Sequence, residues 1–293
     1  MTAPPPAQAP ASSPAPAPVP ASSPAARPRR YGPTLALAVI SLFTVAPLIA
    51  VVVLALSPEG APTLPHAIPA SLTFDNIARI FEIGAFPRWL LNSLVFSVVS
   101  VVVILLTASM AAYALVRKRF PGRNALFWAI IATLMVPMQA TLIPTFLLIA
   151  HMKGVNTLWG LIAPTLANAQ AVFLIRQFIR ELPEELFDAA RIDGSGEWRT
   201  FTRIVLPLIR PVLATLAIYI FLWHWNDLLW PLVVGQSDGT RTLTVGLATL
   251  NTETVSTANI MSASLVSFLP CLLVFIVLQR HIVAGITSGG IKG

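Results

Sequence analysis

Six stretches of predominantly apolar residues, separated by short polar segments, run along the chain at about 33–56, 89–116, 124–150, 155–178, 208–234 and 259–280. With a rise of about 1.5 Å per residue, about twenty apolar residues cross the hydrocarbon core of a bilayer as a helix. The pattern therefore predicts an all-α, polytopic membrane protein with six transmembrane helices. Pro137 and Pro144 fall in the third stretch and Pro270 in the sixth, where each predicts a kink. Such breaks survive in membranes where neighbouring helices pack against them or a cavity is lined. Asp227 is the one acidic residue inside any of the six stretches.

Charge fixes the expected orientation. Only 11% of residues are charged, against about 25% in a soluble domain. With the N-terminus in the cytoplasm, fifteen of the nineteen Lys and Arg residues fall on that side, including Arg27, Arg29, Arg30, Arg117, Lys118, Arg119 and Arg123. Basic residues collect beside spans on the cytoplasmic face, so both termini are expected inside. The same bias accounts for the net charge of +7 without nucleic acid as a partner. Inner loops are then expected at about 117–123 and 176–207, and outer loops at 57–88, 151–154 and 235–258.

Residues 1–30 divide from the rest. Residues 1–28 are almost all Ala, Pro and Ser, too poor in apolar bulk to fold, and are read as a disordered cytoplasmic tail. They do not resemble a signal peptide, because the arginines follow the Pro-rich tract and the next apolar run is too long. Residues 31–293 form the expected membrane domain. Cys271 is the sole cysteine, and His66, His151, His224 and His281 lie in four separate segments, so metal chemistry has little support. No Gly-x-x-x-x-Gly-Lys-Ser/Thr phosphate loop exists.

The longest inner loop has its own logic. Pro183 suits a first helical position, Glu184 and Glu185 suit the first turn, and Gly194 suits a stop. Leu182, Leu186, Ala189 and Ala190 recur at helical spacing, so 183–193 is expected to be a short amphipathic helix with that apolar face. Three turns are marginal alone in water. The face must rest on the protein's own inner surface, on lipid headgroups or in a groove on another protein. Glu184, Glu185 and Asp188 suit a protein groove better than lipid, which favours Lys and Arg.

The segment also resembles the EAA loop of ATP-binding-cassette (ABC) importer permeases. It has Asp188-Ala189-Ala190, then Asp193-Gly194-Ser195, then Phe201, Ile204, Leu206 and Pro207. Asp188 stands where the pattern has Glu and Ser195 where it has Ala. Tyr113–Phe120 with Gly122-Arg123, Asn156–Gly160, Trp225-Asn226-Asp227 with Trp230-Pro231-Leu232, Leu243–Leu247 and the tail from Gln279 to Gly293 are similar to further segments of the carbohydrate type, in particular the maltose-type second permease. The resemblance implies a bacterial plasma-membrane permease subunit that is not itself an enzyme. It implies a second permease subunit forming a heterodimer, two ATP-binding subunits carrying ATP and Mg, an extracytoplasmic solute-binding protein, and no cofactor on this chain. It assigns Asp188, Ala189, Ala190, Asp193, Gly194 and Ser195 to coupling with the ATPase, with Phe201, Ile204 and Pro207 as supporting motif positions.

The solute path is less sharply marked. Trp223, His224, Asn226 and Asp227 combine aromatic faces with hydrogen-bonding groups that suit a sugar, and intramembrane charges are functional candidates. The same residues also fit an aromatic belt at the outer interface. The outer loop 235–258 reads either as a solvated connector or as a loop reaching the binding protein. Import of a polyol or glycerol phosphate derivative by the same machinery is the alternative, and a stand-alone secondary transporter is the remote one.

Overall fold

The computed structural model describes residues 31–60, 69, 71–82, 85–250 and 255–289. The expected tail at 1–30 lies outside them. The chain divides into one unit ending at Ala46 and a second from Pro47 onward. Every regular element among the described residues is helical: α1 (Tyr31–Ala55), α2 (Asp75–Ile80), α3 (Phe86–Arg117), α4 (Arg123–Thr133), α5 (Met138–His151), α6 (Leu158–Ile162), α7 (Ala169–Arg180), α8 (Glu184–Ile192), α9 (Glu197–Thr200), α10 (Leu206–Leu208), α11 (Arg210–Trp225), α12 (Leu229–Val234), α13 (Leu243–Thr249) and α14 (Thr257–Gly289). By length and composition three helices can cross a membrane unaided, at Gly32–Ala55, Phe86–Arg117 and Thr257–Gln279, and three further bent pairs bring the number to as many as six.

The bends correct the expected spans. In the third stretch α4 and α5 meet at 100°. Pro137, extended at φ −62° and ψ 132°, separates them, because proline bars the helical conformation to the residue before it and supplies no donor. Pro144 instead lies inside α5. The fourth stretch breaks as well, by 46° between residues 158–165 and α7. Pro164 sits in a short 3₁₀ turn there, and the Asn168 side chain restarts the helix by accepting from Ala171 N–H at 2.8 Å. The fifth stretch does not run to residue 234. Residues 197–208 meet α11 at 74°, through a π-helical turn at Phe201–Val205 and the prolines Pro207 and Pro211. Each proline deletes a ladder hydrogen bond, which is the usual cause of such a bend. α11 then stops at Trp225, and Asp227 accepts from Trp230 N–H at 3.4 Å at the start of α12.

α3 is the central element of the second unit, packing against α6, α7, α11 and α13. The face it buries carries Asn92, Ser93, Ser97, Ser100, Ala108, Ser109 and Ala112. Small and weakly polar residues let helices approach closely inside a membrane, where apolar burial alone supplies little drive. Around its lower half, Ile104, Ala112, Ile175, Ile179, Val205 and Ile220 form the largest apolar cluster. At the opposite end, Asn92 donates to the carbonyls of Gly239 and Arg241, and Ser93 accepts from Leu243 N–H at 2.8 Å. Gly246 faces the Trp89 indole so closely that any β-carbon would overlap the ring. Residues 239–246 are thus packed onto α3, unlike a solvated connector, which was one of the two readings of this loop, and residues 251–254 lie outside the description. Glu59 ties the end of α1 to α2 and α14 by pairing with Arg79 and accepting from Asn259 at 2.8 Å. The Arg79 hydrogen bond holds the Glu59 carboxyl below the usual carboxylate range.

Candidate functional site

The expected short helix exists as α8, one residue shorter at each end, with Pro183 preceding it as the cap. Its C-terminus is a Schellman motif. Gly194 N–H donates to Arg191 O at 3.1 Å, and Ser195 N–H donates to Ala190 O at 2.9 Å. Gly194 adopts φ +67°, the left-handed region in which a β-carbon is penalised.

Of the apolar face read from the sequence, only Ala190 is buried. Phe187 and Ala190 are buried, whereas Leu186, Ala189 and Ile192 are exposed, Ile192 by 87%. The sequence reading missed Phe187, whose signal was its position three residues before Ala190. α8 therefore has two apolar faces. One rests on the body of this chain, and the other, Leu186–Ala189–Ile192, is uncovered.

The covered face is held by the end of α3. The Arg117 guanidinium lies 3.8 Å from the centre of the Phe187 ring and donates to Glu184 at 2.6 Å. Next to it Lys118 pairs with Glu197 at 2.7 Å, and Tyr113 donates to the same carboxylate at 2.6 Å. The Arg117 bond pulls the Glu184 carboxyl below its ordinary range, and Lys118 followed by Tyr113 does the same for Glu197. Asp188 pairs with Arg191 one turn along α8. Tyr113, Arg117, Lys118, Glu184 and Glu197 border a polar cavity of about 650 Å³ that Arg123 and Ser195 also line. Of the supporting motif residues, Phe201 is buried beside Tyr113 with ring centres 5.3 Å apart, Ile204 lies on the π-helical turn and Pro207 opens the bend. Of the motif positions, Ala190 and Phe201 are buried on the body of the chain, and Asp188, Ala189, Asp193 and Gly194 are exposed.

A second group of cavities lies where the bent helices break. The α4–α5 break and the α11–α12 break border a space of about 850 Å³ lined by Gln139, Tyr219, Trp223, Asn226 and Asp227. An adjoining one of about 500 Å³ reaches the α6–α7 break at Asn168 and Gln170. Trp223 is 54% exposed and packs near Tyr219 at 6.2 Å. Of the four tentative path residues, Trp223, Asn226 and Asp227 come together on the larger cavity. His224 is buried against Phe96, its Nδ1 2.8 Å from Ile220 O, and borders the adjoining space instead. Trp225 and Trp230 serve packing, donating to Ser267 O and Leu161 O.

Among the described residues the elements are helical, several are long and apolar enough to cross a membrane, and a short two-faced helix is docked on the end of one of them. Residues 100–288 match the family described as binding-protein-dependent transport system inner membrane component, and the chain belongs to it. It is 44% identical over 227 residues to the arabinooligosaccharides transport system permease protein AraQ of Halalkalibacterium halodurans, covering 77% of this chain and 81% of that protein. It is 37% identical over 230 residues to the sn-glycerol-3-phosphate transport system permease protein UgpE of Pectobacterium atrosepticum, covering 75% and 82%. In fold it is similar to a chain of a bacterial ABC transporter involved in the import of the acidic polysaccharide alginate, with a TM-score of 0.76 at 22% identity, over 85% of this chain and 95% of that one. The chain is accordingly a permease subunit of a binding-protein-dependent ABC importer, a multi-pass inner-membrane protein and not an enzyme.

Proposed function

We propose that this chain, paired with a second permease subunit, two ATPase subunits and an extracytoplasmic binding protein, imports a neutral carbohydrate. In this reading residues 31–293 form the membrane domain with six spans, three of them bent, and both termini lie in the cytoplasm. The bias of Lys and Arg toward the α8 side supports that orientation. ATP and Mg belong to the ATPase partners, and this chain carries no cofactor.

The observation that carries the coupling role is the two-faced α8. The exposed Leu186, Ala189 and Ile192 face enters a groove on the ATPase. The Phe187 face, clamped by Arg117, passes each movement to α3. Asp188 holds the helix's own charge pairing, and Asp193, Gly194 and Ser195 form its fixed end. A helix displaced as a rigid unit is a recognised switching motion.

The solute passes the cavity at the helix breaks, where Trp223 and Tyr219 offer ring faces and Asn226, Asp227 and Gln139 offer hydrogen bonds. That lining contains no Lys or Arg and one carboxylate. A phosphate or a uronic acid there would meet Asp227 without a cation, so a neutral saccharide is favoured over glycerol phosphate. The similarity to an arabinooligosaccharide permease supports the same choice. The test is calorimetric titration of the co-encoded binding protein, followed by uptake in the reconstituted complex. Micromolar affinity for a neutral oligosaccharide is expected. Affinity for glycerol phosphate alone would overturn the substrate reading.

A further inference from the structure

We propose that Arg123, Arg176 and Arg180, where the start of α4 meets the end of α7, form a binding site for the phosphate of an anionic phospholipid headgroup. The proposal rests on this chain's own charges, and the orientation proposed above decides only which leaflet supplies the lipid.

Three observations carry it. First, no described acid pairs with the cluster, although Arg123, which donates to the carbonyls of Val116 and Lys118, also lines the cavity bordered by Glu184 and Glu197. Ion pairs among the described residues use Arg79, Arg117, Lys118, Arg191 and Arg241, and none uses Arg123, Arg176 or Arg180. The charges that act on Arg176 are those of Arg180 and Arg123, both of its own sign. Second, Arg176 is fixed in place with donor capacity unused. Its guanidinium lies 3.7 Å over the centre of the Phe127 ring, and its Nε is buried without a hydrogen-bond partner. The ring covers one face of the cation and uses none of its in-plane N–H donors. A buried N–H without an acceptor is costly, and a phosphate oxygen is the acceptor that guanidinium donors match. Third, the surroundings suit lipid. Arg119 and Arg123 border an open cavity of about 530 Å³ at the 119–125 turn. On the same two helices Trp128 is 66%, Leu126 49% and Phe178 42% exposed. Aromatic side chains beside basic ones mark the level of headgroups in a bilayer, and basic pockets between helices bind phospholipid headgroups. An acidic protein surface would supply the charge but leave Trp128 and Leu126 without an apolar partner.

The site is tested on the complete complex by native mass spectrometry with phosphatidylglycerol, cardiolipin, phosphatidylcholine or inorganic phosphate added at equal concentration. Retention of the two anionic lipids over phosphatidylcholine is expected. Each of Arg176→Gln and Arg180→Gln should weaken that retention about fivefold, the ordinary contribution of one basic residue near an anionic surface, while Arg180→Lys retains most of it. Phosphatidylcholine retained equally, unchanged retention in the double Gln variant, or displacement by inorganic phosphate would each overturn the proposal. The wild-type headgroup comparison stands alone if a variant fails to assemble. Uptake is not read, so failure here leaves the carbohydrate reading untouched.

Discussion

Arg117, the last residue of α3, covers the Phe187 ring of α8 at 3.8 Å and at the same time binds Glu184 one turn earlier on that helix. One side chain thus joins the central helix of the second unit to the short helix that carries the EAA-like motif. Coupling, on this account, runs through packing and charge at a single joint.

Removing the ring should release α8 without unfolding the spans. Burying a Phe side chain and then deleting it costs about 3–5 kcal/mol. Phe187→Ala is therefore expected to abolish most hydrogen-exchange protection at residues 184–195 and to uncouple ATP hydrolysis from uptake. Phe187→Leu should retain the larger part of both. Unchanged exchange in the Ala variant would show that α8 is held elsewhere.

Acid should loosen the same joint. Glu184 and Glu197 have carboxyls held below the ordinary range, by Arg117 and by Lys118 with Tyr113. Groups depressed in the folded state stabilise it above their unfolded pKa, about 4.3 for Glu, and that contribution is lost as pH falls through the folded values. Exchange protection of α8 and α9 is expected to be flat from pH 8 to about 5 and to fall below about 4. Glu197→Gln should flatten the α9 part of that fall.

Gly194 tests the fixed end of α8. Its φ of +67° costs a residue with a β-carbon about 1–2 kcal/mol. ATPase association measured by co-purification should decline in the order Gly, Asn, Ala, Pro, with Gly194→Pro losing the Schellman bond to Arg191 as well. Equal co-purification across the series would remove the turn from the coupling role.

The cavity at the helix breaks should separate transport from assembly. Trp223→Ala is expected to lower carbohydrate uptake about tenfold, the weight of one aromatic stacking contact of about 1.4 kcal/mol. Asp227→Asn should lower uptake less, because Asn keeps the bond to Trp230 N–H that starts α12. ATPase subunits should co-purify with both variants. Loss of assembly in Trp223→Ala would assign that residue to the permease partner instead.

Helix type and the approximate apolar stretches were legible because membrane-length hydrophobic runs and sparse charge admit few alternatives. The stop of α8 was legible as well, since Gly194 followed the last helical turn. The breaks were less so. Pro137 announced one and Asp227 interrupted the fifth run, but Pro164 with Asn168 sits in a run otherwise apolar enough to read as one span, and only packing decides whether a run bends there. Which face of α8 turns inward was not assigned, for a related reason. Leu186 and Phe187 are equally apolar, and the choice between them depends on where Arg117 ends up, 70 residues earlier in the chain. The burial of Thr242, Leu243 and Gly246 depends likewise on Trp89 and Ser93 at the far end of α3, which no local pattern reveals.

The central claim is that α8 shows one face to this chain and the other to the ATPase. Cys271 is the sole cysteine, so Cys271→Ser gives a background in which single cysteines report separately. Placed at Ala189 or Ile192, a cysteine should cross-link to the ATPase subunit through a thiol–amine reagent, with a yield that changes when ATP is added. Placed at Phe187 or Ala190, it should not. Equal yields on both faces, or none at Ile192→Cys in an assembled complex, would contradict the account.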